Sequence, residues 1–174
     1  MVEHDGMPGP HWLLFTLEKL LMIEAVDIKV ALDQSSDLVA AAIGADKVDI
    51  FMYDPAIDSL VALGTSHTPM GKRQRQLGLD HLALSNGGRT AEVYKAQQPH
   101  HTGRADLDPE ELPGIVNELG IRSVVAVPLY IAGELRGVVQ VDSATQDLFT
   151  EYDLRFVEAV AGWIGTIAHR AELT

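Results

Sequence analysis

Two adjacent histidines, His100 and His101, carry the most versatile chemistry in this sequence. A neutral imidazole can ligate a metal ion or haem iron, and it can also contact an organic ligand. Adjacent side chains on an extended chain point to opposite sides, so the pair does not form a two-ligand site by itself. No ligand motif with metal-site spacing surrounds them. The pattern favours a polar loop over a metal or haem site, and it leaves a contact with an organic ligand open.

Three further side chains, Arg89, Tyr94 and Arg122, could bind a polar or anionic molecule. The first two lie on a short predicted helix that opens at a glycine pair, residues 87–88, and Arg122 precedes a predicted strand. The planar fork of arginine matches a carboxylate or a phosphate, but in an acidic chain it serves equally in a structural ion pair. The rest of a phosphate-loop motif does not follow the glycine pair. These residues are candidates for ligand binding, with a structural ion pair as the alternative.

Alternation along two predicted strands separates an apolar face from a mixed face. The apolar face holds Val48, Ile50, Met52, Val139 and Val141. The mixed face holds Asp49, Phe51, Tyr53, Val138, Gln140 and Asp142. An apolar surface with a few polar groups is typical of a small-molecule pocket, so the mixed face predicts the pocket side of the sheet. The alternative is that these polar residues meet solvent at the strand ends.

Catalytic constellations are not evident in the sequence. It contains no cysteine, which removes disulfides, thiolate metal sites and cysteine nucleophiles. Ser66-His67 and Asp80-His81 are only neighbours in sequence, and no Gly-x-Ser-x-Gly elbow is present. We therefore expect a protein that is not an enzyme and binds no metal, and no cofactor can be named.

Charge and length restrict the partners of the chain. Its 174 residues carry a net charge of −12, from 25 acidic and 13 basic side chains, which repels nucleic acid and anionic membranes. The acidic residues 1–5 do not resemble the basic start of a secretory signal. Residues 12–26 are too short and too charged to span a bilayer. We expect a cytoplasmic protein without nucleic-acid or membrane partners.

The first half of the chain predicts an arm, two helices and a hairpin. Glycine and proline in residues 1–10 predict a flexible arm, followed by a single domain over residues 11–174. A broad apolar pattern predicts an N-terminal helix over residues 11–32. A second helix is expected to begin at Ser35 or Ser36 and to end at Gly44. Residues 48–53 and 59–63 predict a hairpin, and residues 64–78 a loop.

The second half has clearer signals. Asp108 with Pro109 and Glu111 predicts a helix start. Two β-branched runs, residues 123–131 and 135–143, predict a tight hairpin. Thr150 and Asp153 form a capping-box-like pattern that begins a C-terminal helix over residues 150–173. Because hairpins dominate over βαβ units, the order of elements predicts an α+β fold with a mainly antiparallel sheet.

Three segments at fixed spacing carry a family resemblance: GIRSVVAVPL at 120–129, GELRGVVQV at 133–141 and FTEYDL at 149–154. Together they resemble the C-terminal half of a GAF domain, a small-molecule-binding sensor module, and residues 27–66 fit its first half more loosely. The resemblance implies a six-stranded antiparallel sheet with the N- and C-terminal helices on one face. Short helices and loops would close a pocket on the other face.

The resemblance also implies a regulatory role in signal transduction, beside a kinase, cyclase, phosphodiesterase or DNA-binding output domain. Cyclic-nucleotide-binding GAF domains carry an Asn-Lys pair, then Phe, then Asp-Glu. Phe149 and Asp153 match that pattern, but residues 142–143 and Leu154 depart from it. Residues 137–143 are similar to those of GAF-type free methionine sulfoxide reductases. The chemistry of those enzymes needs thiols, and covalent attachment of a bilin needs a cysteine. A chain without cysteine is therefore expected to have neither property. Haem bound through His100 or His101 remains an alternative.

Two apolar stripes on the C-terminal helix predict an assembly. One stripe holds Val157, Val160, Ala161, Ile164 and Ala168, and the other lies about 120° round at roughly 3.6 residues per turn. The first stripe can cover the sheet, whereas the second needs another partner, and the first helix has spare apolar surface. We expect a homodimer through a bundle of terminal helices, with the alternative that these helices pack only on each other. The expected interface holds Trp12, Phe15, Phe156, Ala159, Trp163 and Ile167.

The combined expectation is a GAF sensor that binds a small organic ligand and passes the signal through its terminal helices. The expected ligand contacts are Asp49, Phe51, Tyr53, Arg89, Tyr94, His100, His101, Arg122, Gln140 and Asp142. The alternative is a GAF-fold dimerisation module without a ligand.

Overall fold

The computed structural model describes residues 10–24 and 27–173, and only the backbone of residues 10–12. The arm predicted for residues 1–10 lies outside the described residues except for Pro10, which begins the first helix. The side chain of Trp12, predicted at a dimer interface, also lies outside the described part of the chain.

Five α-helices and six strands make up this part of the chain. The helices are α1 Pro10–Leu21, α2 Ile28–Ile43, α3 Pro69–Gln76, α4 Arg89–Ala96 and α5 Glu151–Glu172. The strands are β1 Lys47–Asp54, β2 Ser59–Thr65, β3 His81–Ala83, β4 His100–Thr102, β5 Ser123–Ile131 and β6 Glu134–Ser143. Two 3₁₀ turns, Leu84–Asn86 and Ala105–Leu107, and a π-helical turn, Gly114–Glu118, complete the order.

The six strands form one sheet in the order β3-β2-β1-β6-β5-β4, and every neighbouring pair is antiparallel. This confirms the predicted α+β class and six-stranded sheet. The β5–β6 connection is tight because Ala132 and Gly133 both adopt positive φ angles, as a two-residue hairpin turn requires. Thr150 and Asp153 form the predicted capping box at the start of α5.

The prediction of one helix over residues 11–32 is wrong. Helix α1 ends at Leu21, and α2 begins at Ile28 because the Asp27 carboxylate accepts the backbone N–H of Val30 as an N-cap. The predicted capping serines instead lie inside α2, where Ser35 donates to the carbonyl oxygen of Ala31. The predicted end is confirmed, since Gly44 adopts the left-handed conformation after Ile43.

Two predictions for the middle of the chain are also corrected. Residues 64–78, expected as a loop, contain α3, which Thr68 caps and which Pro69 begins. Asp108 does not start an α-helix, since it follows a 3₁₀ turn and the next helical turn, at Gly114, is π-helical. Polar residues dominate α3, so a search for apolar periodicity misses this helix. Pro69 is compatible with it because proline suits the first turn of a helix.

The sheet separates two apolar cores. Helices α2 and α5 pack on one face and α1 packs on these two helices; Ile50, Val127, Val139 and Ile164 are buried together there. On the opposite face Phe51, Val93, Ile115 and Val138 form a second buried cluster with residues from α4 and from 105–121. Strand alternation therefore assigns the two faces as the sequence predicts, and both faces carry a buried apolar cluster.

Candidate functional site: a covered sheet face

The face opposite the terminal helices, here called the pocket face, brings the predicted mixed residues together. Its central part is formed by Lys47, Asp49, Phe51 and Tyr53 of β1 and by Val138, Gln140 and Asp142 of β6. The β1–β6 register sets Lys47 opposite Asp142, Asp49 opposite Gln140, and Phe51 opposite Val138. The pocket face thus has a polar end and an apolar end.

A fully buried lysine occupies the polar end. Lys47 Nζ forms ion pairs with the carboxylates of Asp49 and Asp142, and the Nζ–Oδ2 distance to Asp142 is 2.8 Å. All three side chains have no exposed surface. Buried charges persist only when they are paired and hydrogen-bonded, so this arrangement needs every one of its partners.

Neutral side chains satisfy the outer oxygens of both carboxylates. Asp49 Oδ1 accepts from Thr65 Oγ1 at 2.9 Å and from Gln74 Nε2 at 2.8 Å. Asp142 Oδ1 accepts from Gln140 Nε2 at 3.1 Å, and Gln140 Oε1 accepts from Thr90 Oγ1 at 2.6 Å. We call Lys47, Asp49, Thr65, Gln74, Thr90, Gln140 and Asp142 the ionic cluster. It joins β1, β2 and β6 to α3 through Gln74 and to α4 through Thr90.

Burial and charge oppose each other within the ionic cluster. Burial alone lowers the pKa of Lys47, but the charges of Asp142 and Asp49 outweigh it, so its pKa is raised and the ammonium stays charged. Burial raises the pKa of Asp142, and the charge of Lys47 opposes that rise. The lysine is therefore the group that allows two carboxylates to lie in the interior.

The centre of the pocket face is closed. Asp49, Phe51, Gln140 and Asp142 are at most 2% exposed, so their side chains do not border a water-sized space. Helices α3 and α4 and residues 105–119, here called the lid, cover them; Val93, Ala105, Ile115 and Leu119 provide its buried apolar contacts. A ligand reaches these four residues only when the lid moves.

The rim of the pocket face carries two tyrosines and an arginine. Tyr53 and Tyr94 stack with their ring centroids 5.1 Å apart, and Tyr53 Oη donates to Asp58 at 2.7 Å. Arg89 forms a bidentate ion pair with Asp108 at 2.7 and 2.8 Å. Hydrogen bonding to Arg89 lowers the pKa of Asp108, so the arginine fork is engaged within the chain.

The two histidines lie on opposite sides of the sheet, as alternation predicts. His100 pairs with Ala126 on the pocket face, and burial lowers its pKa, so the imidazole is neutral near neutral pH. His101 lies on the other side, and its Nε2 is 2.9 Å from the carbonyl oxygen of Phe149. Of the predicted pair, only His100 belongs to the pocket face.

Arg122 supports the lid. Its Nη1 donates to the carbonyl oxygens of Val116 at 3.2 Å and Ile121 at 2.9 Å, next to the π-helical turn. Its Nε also lies 3.9 Å from Asp106 Oδ2, an ion pair of the kind considered as the structural alternative for this residue. Glu111, whose pKa is raised by burial, accepts the backbone N–H of Leu112 at 3.0 Å in the same region.

Two buried polar atoms on this side of the sheet have no hydrogen-bond partner among the described residues: Gln74 Oε1 and His100 Nε2. Gln74 is bonded through its amide nitrogen, and His100 is partly enclosed beneath the lid. Nearly all buried polar atoms in folded proteins are paired with protein groups or with ordered water, so each orphan atom can bond to a ligand or to water.

Most of the sequence matches a known family. A model of the GAF domain family matches residues 27–167, which is well over half of the chain. The chain belongs to the GAF domain family. A search of curated proteins found no match.

Solved GAF structures share this fold at low sequence identity. The GAF domain of a phosphoenolpyruvate-protein phosphotransferase from Coxiella burnetii is 20% identical, with a TM-score of 0.76 and coverage of 94% of each chain. The free methionine-R-sulfoxide reductase of Neisseria meningitidis, solved with its substrate, is 19% identical, with a TM-score of 0.76 over 92% of this chain and 88% of that one. A phycoerythrobilin-bound GAF domain of a cyanobacterial phytochrome is 15% identical, with a TM-score of 0.74 over 95% and 98%.

At these identities the solved structures establish the fold alone. They include an enzyme as well as pigment-bound domains, so the GAF fold by itself does not decide between a regulatory and a catalytic role.

Several residues of the GAF pocket face are missed by sequence reasoning. Lys47, Thr65, Gln74 and Thr90 were not among the predicted ligand contacts, although the ionic cluster depends on them. Lys47 is predictable from the sequence, because it lies two residues before Asp49 in β1 and so on the same face of the sheet. Gln74 and Thr90 come from helices whose docking on the sheet leaves no local pattern in the sequence.

The predicted dimer residues fall into two groups in the GAF fold. Phe156 and Ile167 are buried in the core beneath the sheet, which corrects their assignment to an open helix face. They lie there because α1 and α2 also pack on α5 and widen its buried surface. Trp163 is 36% exposed, Phe15 is exposed, and Ala159 is half-buried.

Within residues 10–24 and 27–173, no helix has the length and apolar character needed to cross a membrane. The same ranges contain no group of three or more histidine, aspartate or glutamate side chains placed to hold a metal ion.

The ionic cluster makes a direct prediction for Lys47→Met. This variant leaves two buried carboxylates without a cation, which costs about 3–5 kcal/mol of unfolding free energy at about pH 7. Burial then raises the pKa of Asp142 further, and a carboxyl group with a raised folded-state pKa loses its stabilising contribution as pH rises through that pKa. The difference in unfolding free energy between wild type and Lys47→Met therefore decreases as pH falls from about 7 to about 5, as measured by urea unfolding.

Lys29→Met is the matched control, because Lys29 pairs with Asp33 on the surface of α2. It changes stability by about 0.5 kcal/mol or less. Equal effects of the two substitutions would contradict the role assigned to Lys47.

Proposed function

We propose that this GAF domain is a regulatory sensor that binds a small organic ligand on the pocket face. Ligand binding opens and then re-forms the lid, and the change reaches the terminal helices. The observation that carries the proposal is the pair of orphan atoms, Gln74 Oε1 and His100 Nε2, on a face that is otherwise satisfied. A ligand that bonds to either atom would supply its missing partner.

The construction of the lid favours movement over rigid closure. Its helices α3 and α4 have eight residues each, and residues 105–119 contain only short 3₁₀ and π-helical turns. Short elements bury little apolar surface and open at low free-energy cost, and π-helical turns are frequent at functional sites. Any ligand that binds the open lid better than the closed lid shifts the population between the two.

The output in this proposal is a homodimer through α1 and α5. Trp163 and Leu14 expose apolar surface on these two helices, which pack against each other within the chain. A second copy would cover that surface in a helical bundle. In the cell the domain would act in the cytoplasm beside a kinase, cyclase, phosphodiesterase or DNA-binding output domain.

A dimerisation module without a ligand is the second candidate. The nearly complete burial of Asp49, Phe51, Gln140 and Asp142 favours it, because the chain already fills the centre of its own pocket. Haem bound through His100 is a narrower form of the sensor proposal, since Nε2 lacks a hydrogen-bond partner but the surrounding side chains leave little space.

The adjacent histidines provide a matched test of ligand binding. In a thermal-shift screen of metabolites and nucleotides, with haem included, we expect at least one compound to raise the melting temperature of the wild-type protein. His100→Ala weakens that compound about tenfold or more, because its imidazole faces the pocket. His101→Ala, on the other side of the sheet, leaves the affinity within about twofold.

A compound that loses affinity equally in both variants would contradict binding at the pocket face. A screen in which no compound stabilises the wild-type protein would favour the dimerisation module.

The dimer is tested by Trp163→Glu, measured by sedimentation velocity. Introducing a charge at the centre of an apolar interface weakens dimerisation about a hundredfold or more. Ile57→Glu is the control, since Ile57 is also an exposed apolar residue but lies at the β1–β2 turn. A wild-type monomer, or equal effects of the two variants, would contradict this interface.

A further inference from the structure

Two carboxylates converge on a single ammonium group in the interior of the domain. Asp49 and Asp142 each direct Oδ2 at Lys47 Nζ. Thr65 and Gln74 donate to Asp49 Oδ1, and Gln140 donates to both oxygens of Asp142. Neutral donors therefore help to orient both carboxylates toward the ammonium. The result has the form of a binding site for a primary ammonium ion, with a chain residue as its occupant.

The occupant enters from the sheet itself. Lys47 is the first residue of β1, two residues before Asp49, and its side chain lies on the same face. A lysine side chain is a flexible four-carbon stem that ends in a compact ammonium. Because the cation is tethered to the strand, binding it costs little entropy, and a free amine cannot compete with it easily.

We propose that Asp49 and Asp142 form an ammonium-recognition subsite in which Lys47 acts as a built-in ligand. In the native domain this subsite is closed to external amines, so the sensor responds to a compound that does not place an ammonium group there. The statement about the sensor rests on the proposed function. The existence of the subsite rests only on the ionic cluster.

Lys47→Ala tests the subsite by chemical complementation. The substitution removes the outer three methylene groups and the ammonium, which corresponds to n-propylammonium. We expect the melting temperature of the variant to fall well below that of wild type and to rise saturably with n-propylammonium chloride. Sodium chloride at equal ionic strength and n-propanol should have no comparable effect.

Two controls separate subsite binding from general salt or solvent effects. The wild-type domain and Lys47→Met, whose side chain fills the same volume without a charge, should not respond to n-propylammonium. Combining Lys47→Ala with Asp142→Asn removes one carboxylate and should weaken the response about tenfold or more. A response of wild type equal to that of Lys47→Ala would overturn the proposal, as would equal rescue by n-propanol.

A variant that does not fold alone is refolded with and without the amine. Recovery of folded protein only with n-propylammonium supports the subsite. If Lys47→Ala does not recover with the amine under conditions in which Lys47→Met folds, the proposal is overturned. In wild type labelled with ¹⁵N-lysine, the Lys47 ammonium should exchange its protons at least about tenfold more slowly than the exposed Lys29. Equal exchange rates would also overturn the proposal.

These results are independent of the ligand screen. Amine rescue in Lys47→Ala with no wild-type ligand retains the subsite and removes the sensor function. A ligand that binds wild type, with no amine rescue of Lys47→Ala, retains the sensor function and removes the subsite.

Discussion

A buried ammonium between two buried carboxylates is the interaction on which the rest of the pocket face depends. Carboxylates in an apolar interior are expensive, and removing one partner of a buried ion pair leaves that cost uncompensated. In this domain Lys47 neutralises part of that charge, and neutral amides and hydroxyls satisfy the remainder. Because Gln74 of α3 donates to Asp49 and Thr90 of α4 donates to Gln140, the ionic cluster also holds the lid on the sheet.

The contacts between the lid and the sheet determine what a ligand must displace to open the lid. The lid contributes an apolar cluster around Phe51 and Val138, and the ionic cluster adds polar contacts at the other end of the same face. A ligand must therefore displace apolar contacts at one end without leaving Asp49 or Asp142 unpaired at the other. Movement of the lid around an intact ion pair meets both conditions, since Gln74 and Thr90 are neutral and can bond to water instead.

The parts of the fold that the sequence predicts are those with local signals. Alternation in residues 48–53 and 137–142 assigned the two sheet faces, and the capping box at Thr150 located the start of α5. The break between α1 and α2 was missed because apolar residues continue through it, and the helix α3 was missed because it has almost no apolar face.

The candidate site was predictable only in part, for a similar reason. Asp49, Gln140 and Asp142 lie on strands, where parity reveals the face of each residue. Gln74 and Thr90 reach the same cluster from separate helices, and such long-range contacts follow from tertiary packing. Likewise, helical periodicity places Phe156 and Ile167 on a stripe with no local partner, but α1 and α2 bury α5 on more than one side.

The central claim is that the ionic cluster holds the lid closed, and amide hydrogen exchange of wild type and Lys47→Met tests it most directly. The account predicts that in Lys47→Met α3 and α4 exchange through an opening that leaves β5 and α5 folded, with a free energy of opening well below that in wild type, because Gln74 and Thr90 tie those two helices to the cluster. An unchanged free energy of that opening, or exchange of α3 and α4 in the variant only through global unfolding, would contradict it.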